Sequence, residues 1–188
     1  MQNVKLKDIA EVYSGLSYRR YLDDSGIEYD VVVQRSIKAD GIVADFEKIR
    51  LAPTIKERFF SRTCDVLMRM PYPFDVVHLN QEGLVISDRI AIIRLDNQHD
   101  PAFIAHLLTN AHVKKQLHEI GSTERIPHIS IKEIKEIQLR VPDYETQVKY
   151  GQLLNTINEK ITQDLKVVEY DRRLKEGILN KLWGQDYE

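Results

Sequence analysis

The chain has 188 residues and a single cysteine, Cys64. An intramolecular disulfide and a cysteine-rich zinc site are therefore excluded, and this usage fits a reducing compartment such as the cytoplasm. Long apolar runs are missing as well. Met1 to Gly15 mixes charged with apolar residues, which argues against a signal peptide, and no stretch reads as a membrane span. Gly15, Gly26, Gly41, Gly83 and Gly121 stand isolated, so there is neither a phosphate-binding P-loop nor a dinucleotide fingerprint. A Gly-x-Ser-x-Gly nucleophile elbow is absent. So is the Asn/Asp-Pro-Pro-aromatic run with which amino-methyltransferases hold a target base. Finally, there is no basic excess: 27 Lys plus Arg stand against 29 Asp plus Glu, a net charge of −2. Nucleic-acid binders usually carry positive charge. Any such affinity must come from local clustering or from basic partners.

What is present is the composition of a folded protein, 43% hydrophobic and 30% charged. Two regimes follow one another. Up to about Pro142 the apolar period changes often and turn residues recur, which predicts mixed α and β structure. Leu6, Ile9, Ala10 and Val12 predict a strand end running into helical turns that stop at Ser14-Gly15. Strands are predicted over Tyr29 to Gln34, Asp65 to Met70, Leu84 to Ile86 and Arg89 to Leu95, with a turn at Asp40-Gly41. Asp100-Pro101 is a helix start, with an aspartate cap and proline in the first turn. The apolar face of Phe103, Ile104, Leu107, Leu108, Ala111 and Leu117 extends that helix to Gly121. Ser130 to Glu133 is a capping box, and Ile137, Leu139 and Val141 alternate as a strand.

From Asp143 to Trp183 there is no proline. Leu154, Ile157, Ile161, Leu165, Val168, Leu174, Ile178 and Leu182 recur in steps dominated by three and four, with an irregularity near Arg172. This predicts one long helix or two stacked ones. Forty helical residues span roughly 60 Å. The preceding domain is too small to cover such a stripe, so it wants a partner helix; a helix folded back on its own domain is the alternative.

Catalytic constellations are nearly absent. His106, His112 and His118 lie six apart and point to different helix faces, unlike a metal-ligand pair. Glu133-Ile134-Lys135 with Pro142-Asp143 offers the residue types of a metal-dependent nuclease in reversed order, and Glu133 is better explained as a capping partner. Arginine and tyrosine are more suggestive. Tyr18-Arg19-Arg20-Tyr21 follows Gly15, Arg35 and Lys38 follow a strand, and Arg58, Arg62 and Arg69 come close together with Lys56 and interleaved Phe59, Phe60 and Tyr72. Arginine makes bidentate bonds to guanine edges, and both basic types bond phosphates. A solvated charged face is the alternative for each.

Five fragments, in order, carry a resemblance. Lys5-Leu6-Lys7-Asp8-Ile9 to Ser14-Gly15 resembles a K-L-x-D-I-x-x-x-x-S-G opening. Cys64-Asp65-Val66-Leu67 is similar to Gly-Asp-Ile/Val-Leu, with cysteine in the glycine's place. Gly121 to Ser130 resembles a glycine-rich turn leading to an Ile-Ser step. Val141-Pro142-Asp143-Tyr144-Glu145-Thr146-Gln147 is similar to P-P-x-x-E-Q, and Leu174 to Trp183 to a closing L-K-x-x-L-L-x-K-L-F/W. Together they resemble the specificity subunits of type I restriction–modification systems. Pro71 to Gly83 departs from the family's glycine-containing loop.

The resemblance implies an α+β fold: a mixed α/β target recognition domain over residues 1–142, then a helical spacer over 143–188 that forms an antiparallel coiled coil with a partner. Typical members carry two of each in tandem. No internal repeat is found here, so the chain looks like half of such a subunit. The implied function is non-catalytic: reading one half-site of double-stranded DNA as a homodimer, while docking a methyltransferase subunit and a restriction/translocase subunit. S-adenosylmethionine, Mg and ATP would sit only on those partners. The expected DNA-facing pool is Tyr18, Arg19, Arg20, Tyr21, Arg35, Lys38, Arg58, Arg62 and Arg69. The expected seam is Leu154, Ile157, Ile161, Leu165, Val168, Ile178 and Leu182. A coiled-coil-dimerised DNA-binding regulator without enzyme partners is the alternative.

Overall fold

The structure is a computed structural model that describes residues 1–38, 43–120 and 127–184. The Asp40-Gly41 turn and most of the Gly121 to Ser130 fragment lie outside the described residues. Two compact units are present, Met1–Gln152 and Leu153–Glu188.

The first unit is built on a four-stranded antiparallel sheet in the order β2 (Ala10–Ser14), β8 (Ile90–Leu95), β5 (Val66–Arg69), β6 (Val76–His78). Successive strand residues point to opposite faces. Val66, Met68, Ala91 and Ile93 join one buried cluster, while Leu67, Ile90 and Ile92 join another. Both faces are covered, which is why Ile90–Leu95 reads as an unbroken apolar run rather than an alternating one. The first cluster is closed by helices α2 (Pro101–Leu108), α3 (Ala111–Ile120) and α4 (Ile131–Lys135), through Ile104, Leu108, Leu117 and Ile134.

A three-stranded sheet holds β3 (Leu22–Val32) between β4 (Glu47–Leu51) and β7 (Val85–Ile86). A third apolar cluster, around Leu16, Val31, Leu51 and Val85, lies beneath it. β1 (Gln2–Lys5) pairs antiparallel with β9 (Gln138–Val141). Between β1 and β2 sits α1 (Leu6–Ile9), the helical turn that Leu6 and Ile9 announce. The helical turns end at Ile9 rather than at Ser14-Gly15, as expected, because Ala10–Ser14 pairs in register with β8 as β2.

One helix boundary also differs from the expectation. The helix starting at Pro101 breaks at Thr109-Asn110 and restarts at Ala111. Thr109 folds its hydroxyl back onto the His106 carbonyl (2.7 Å), and the Asn110 side chain accepts from the His112 N–H (2.9 Å). Such local polar bonds compete with the helix ladder.

The 143–183 region is a single helix, α5 (Tyr144–Trp183). Asp143 caps it through the N–H and hydroxyl of Thr146, both at 3.0 Å. Its first turns belong to the first unit. Buried Gln147 accepts from the Asp100 N–H (3.1 Å) and donates to the Pro142 carbonyl (2.9 Å). Gly151 is buried where a Cβ would fall 2.4 Å from the Asp100 carboxylate, so the helix lies directly on the α2 cap.

From Leu153 onward the helix exposes Ile157, Ile161, Leu165, Val168, Ile178 and Leu182, the last at 78%. Leu154 is half-buried. A row of exposed apolar residues of this length along one helix marks an interaction face. No described helix is long and apolar enough to cross a membrane.

Candidate nucleic-acid interface

A groove of about 1140 Å³ opens on the first unit, lined by segments far apart in sequence. Tyr18 and Arg19 enter from a one-turn 3-10 helix (Tyr18–Tyr21) after β2. Gln34 and Arg35 come from a second such turn after β3. Arg69 and Tyr72 come from the end of β5, Asp88 and Arg89 from the β7–β8 turn, and His128 from the segment before α4.

Backbone bonds hold these segments together. Leu16 pairs in parallel with Ser87: its N–H donates to the Ile86 carbonyl (2.7 Å), and its own carbonyl accepts from the Asp88 N–H (3.0 Å). Ser87 N–H donates to the Val32 carbonyl (3.0 Å), which ties the turn to β3. Pro71 bridges His128, with Tyr72 N–H bonded to the Pro127 carbonyl (2.9 Å). Ser36, fully buried, accepts from the Val33 N–H (3.1 Å) and fixes the turn that carries Gln34 and Arg35.

The lining holds four arginines against two carboxylates, Glu47 and Asp88. The sequence from Met1 to Arg140 is neutral, with 20 basic and 20 acidic residues, so positive charge is concentrated here. Two of the four arginines are committed. Arg35 pairs with Glu47 at 3.0 Å, and Arg69 with Asp75 at 2.9 Å. Arg19 and Arg89 are exposed and make no ion pair among the described residues.

Of the expected pool, the groove therefore gathers Tyr18, Arg19, Arg35 and Arg69. Arg20 and Tyr21 share the 3-10 turn but not the lining; Arg20 is exposed, and Tyr21 packs on the third apolar cluster. Lys38 is bound to Asp45 at 2.6 Å and Arg62 to Glu57 at 3.5 Å. Arg58 lies over the Phe59 ring at 4.7 Å from its centroid, a cation–π contact. None of these three lines the groove.

Sequence reasoning missed Gln34, Arg89 and His128 as lining residues. Arg89 carried a signal: it follows a Ser-Asp turn at the mouth of a buried strand. Tyr72 carried one too, since it stands between Pro71 and Pro73.

The Cys64-Asp65 fragment is structural. Asp65 is 2% exposed and takes a bidentate bond from Arg94, at 2.8 and 3.1 Å, and another from the Arg62 N–H at 2.9 Å. Burial works against the Arg94 charge, but the Asp65 hydrogen bond and charge outweigh it and push the guanidinium pKa up. Glu133 acts as the cap partner of Ser130, accepting its N–H at 2.7 Å; that backbone bond lowers its pKa.

The sequence matches, over residues 1–169, the family model described as "Type I restriction modification DNA specificity domain". The chain belongs to that family. The family's described role is DNA specificity, so this specificity domain is a recognition element rather than a catalyst.

Solved structures agree on the fold. The HsdS subunit from Thermoanaerobacter tengcongensis is similar with a TM-score of 0.70 at 15% identity, over 96% of this chain and 47% of that one. The type I restriction–modification S subunit from M. genitalium is similar with a TM-score of 0.61 at 13% identity, over 98% and 46%. A chain from a structure of complex assembly and conformational transition in the type I R-M system gives 0.64 at 16%, over 96% and 43%. The chain thus spans slightly under half the length of each. No curated protein sequence matches it.

Proposed function

We propose that this specificity domain reads one half of a two-part DNA site through its arginine-lined groove, and that two copies are joined through α5. The carrying observation is the convergence of Tyr18, Arg19, Arg35, Arg69 and Arg89 on one groove of an otherwise neutral domain. Arginines of this kind bond phosphates and guanine edges, and Arg19 and Arg89 are the two that no carboxylate among the described residues occupies.

The exposed stripe from Ile157 to Leu182 supports the second half of the reading. Two such helices packed antiparallel bury each other's apolar face and place two readers at a set distance. With identical readers the target is an interrupted palindrome. Under this reading, residues 1–142 are the recognition domain and 143–188 the spacer. The assembly works in the cytoplasm, and a methyltransferase subunit and a restriction/translocase subunit dock on it. S-adenosylmethionine, Mg and ATP belong to those partners. Their contribution of positive surface offsets the net charge of −2 of this chain.

The test combines sedimentation with DNA affinity, using the full chain with and without its methyltransferase partner. The unaltered chain is expected to sediment as a dimer and Ile161→Asp as a monomer. Arg19→Glu with Arg89→Glu is expected to weaken binding at least roughly tenfold and to flatten its salt dependence. A monomeric wild type, or undiminished binding by the double variant, overturns the reading. Dimeric, specific DNA binding that no methyltransferase subunit joins would instead assign a regulator.

A further inference from the structure

Tyr72 differs from Tyr18, the other tyrosine that lines the groove. It is 49% exposed, whereas Tyr18 is packed into the third apolar cluster. It is also held on both sides. The Phe74 ring meets it edge-on at 5.9 Å and the His118 ring of α3 lies at 5.5 Å, while Phe74 and His118 themselves touch at 5.9 Å.

The loop beneath it is closed at both ends. Arg69 N–H donates to the Asp75 carbonyl (2.9 Å), and the Arg69 guanidinium reaches the Asp75 carboxylate at 2.9 Å. On the other side Tyr72 N–H and Ile129 N–H bond the Pro127 and Met70 carbonyls, each at 2.9 Å. Phe74, 1% exposed, adopts φ +61°, the left-handed region that a bulky side chain rarely enters. A conformation of that kind persists only where the surroundings over-determine it, and it concentrates at functional positions. Here the loop tolerates it while setting a half-exposed neutral ring at a groove lined with cations.

We infer that Tyr72 is a specificity-determining residue, its ring making apolar contact with a thymine C5 methyl in the bound duplex. This rests on the groove being the DNA-reading surface. The choice of ligand atom follows from the chemistry. A neutral ring gains nothing from phosphate that the flanking arginines do not supply better. The thymine methyl is the one apolar group that a base pair presents in the major groove. A tyrosine ring with two rotatable bonds, already fixed by Phe74 and His118, loses little conformational entropy on contact.

The test starts from the duplex that the full chain, with its methyltransferase partner, selects from a random pool. Tyr72→Ala is expected to lose roughly tenfold discrimination at one T·A pair, with an unchanged salt slope because no charge is removed. Tyr72→Phe is expected to keep it. Deoxyuridine in place of that thymine removes only the methyl; it should weaken the wild type several-fold and leave Tyr72→Ala unaffected. Far-ultraviolet circular dichroism establishes that each variant is folded. Selection of the same sequence with the same discrimination by Tyr72→Ala overturns the inference, and so does a loss of discrimination that is indifferent to deoxyuridine. A wild type that selects no sequence overturns the DNA-reading function itself, and this contact with it.

Discussion

Gly15 lies against the backbone of Ile86: a methyl group on its Cα would fall 2.3 Å from the Ile86 carbonyl oxygen and 2.4 Å from that of Ser87. The contact is what lets Leu16 and Ser87 pair, and so what sets Tyr18 and Arg19 beside Asp88 and Arg89. A Cβ here meets backbone, which cannot rotate away. Gly15→Ala is therefore expected to cost roughly 2–3 kcal/mol, the upper part of the range for overpacked sites, and to weaken DNA binding in the fraction that folds. Urea unfolding and a binding titration check it. Unchanged stability would mean that the two segments separate without loss.

Cys64 occupies a left-handed position, φ +71°, and is exposed. This explains why glycine stands at the corresponding place of the motif it resembles. A non-glycine residue there pays about 1–2 kcal/mol, and glycine returns part of that through the greater freedom of the unfolded chain. Cys64→Gly is expected to stabilise the domain by roughly 0.5–1 kcal/mol. A lower urea midpoint for the glycine variant would contradict this.

Asp65 neutralises Arg94, and the pair is nearly sealed, with side-chain exposures of 2% and 13%. Removing one partner of a buried pair leaves the other charge uncompensated. Asp65→Ala is expected to destabilise by roughly 3–5 kcal/mol, far more than loss of the exposed Arg62–Glu57 pair, which is worth about 0–1 kcal/mol. Comparison of Asp65→Ala with Glu57→Ala in one denaturation series separates them. Equal effects would remove the structural role assigned to Asp65.

Glu136, at the end of α4, is bonded by Lys5 of β1 and Lys7 of α1 at 2.7 Å each. Those two hydrogen bonds, followed by the lysine charges, lower its carboxyl pKa from 4.5 to about 2. The folded state therefore binds its proton less tightly than the unfolded one. The stabilisation is complete above pH 4.5 and is lost as pH falls toward about 2. A carbon-detected titration of the Glu136 carboxyl is expected to show a midpoint near the lower value, and Glu136→Gln to flatten the pH dependence of stability over that window. A midpoint near 4.5 in the native protein would contradict the clamp.

How much of this was legible beforehand depended on how local the cause was. Ile90–Leu95 was legible because a strand covered on both faces must be apolar throughout, and Ser130–Glu133 because a capping box is closed within four residues. β4 was not: Glu47, Lys48 and Arg50 leave only Ile49 and Leu51 as apolar signal, and the strand owes its existence to pairing with β3. β6 has three residues and depends on β5 in the same way.

The groove was half legible for a related reason. Closeness in sequence suggested that Arg58, Arg62 and Arg69 act together, but Arg58 turns onto Phe59 and Arg62 onto Glu57. Arg69 instead lines the same groove as Arg19, Arg35 and Arg89, residues 50, 34 and 20 positions away, whose segments are tied by the Leu16–Ser87 and Pro71–His128 bridges. No periodicity encodes those long-range pairings.

Sequencing of the duplexes that the full chain and its methyltransferase partner retain from a random pool tests the central claim most directly. Two identical readers held apart by paired α5 helices predict a motif of two inverted half-sites separated by a fixed number of unread base pairs. A single uninterrupted motif, half-sites at variable spacing, or no enrichment at all would contradict it.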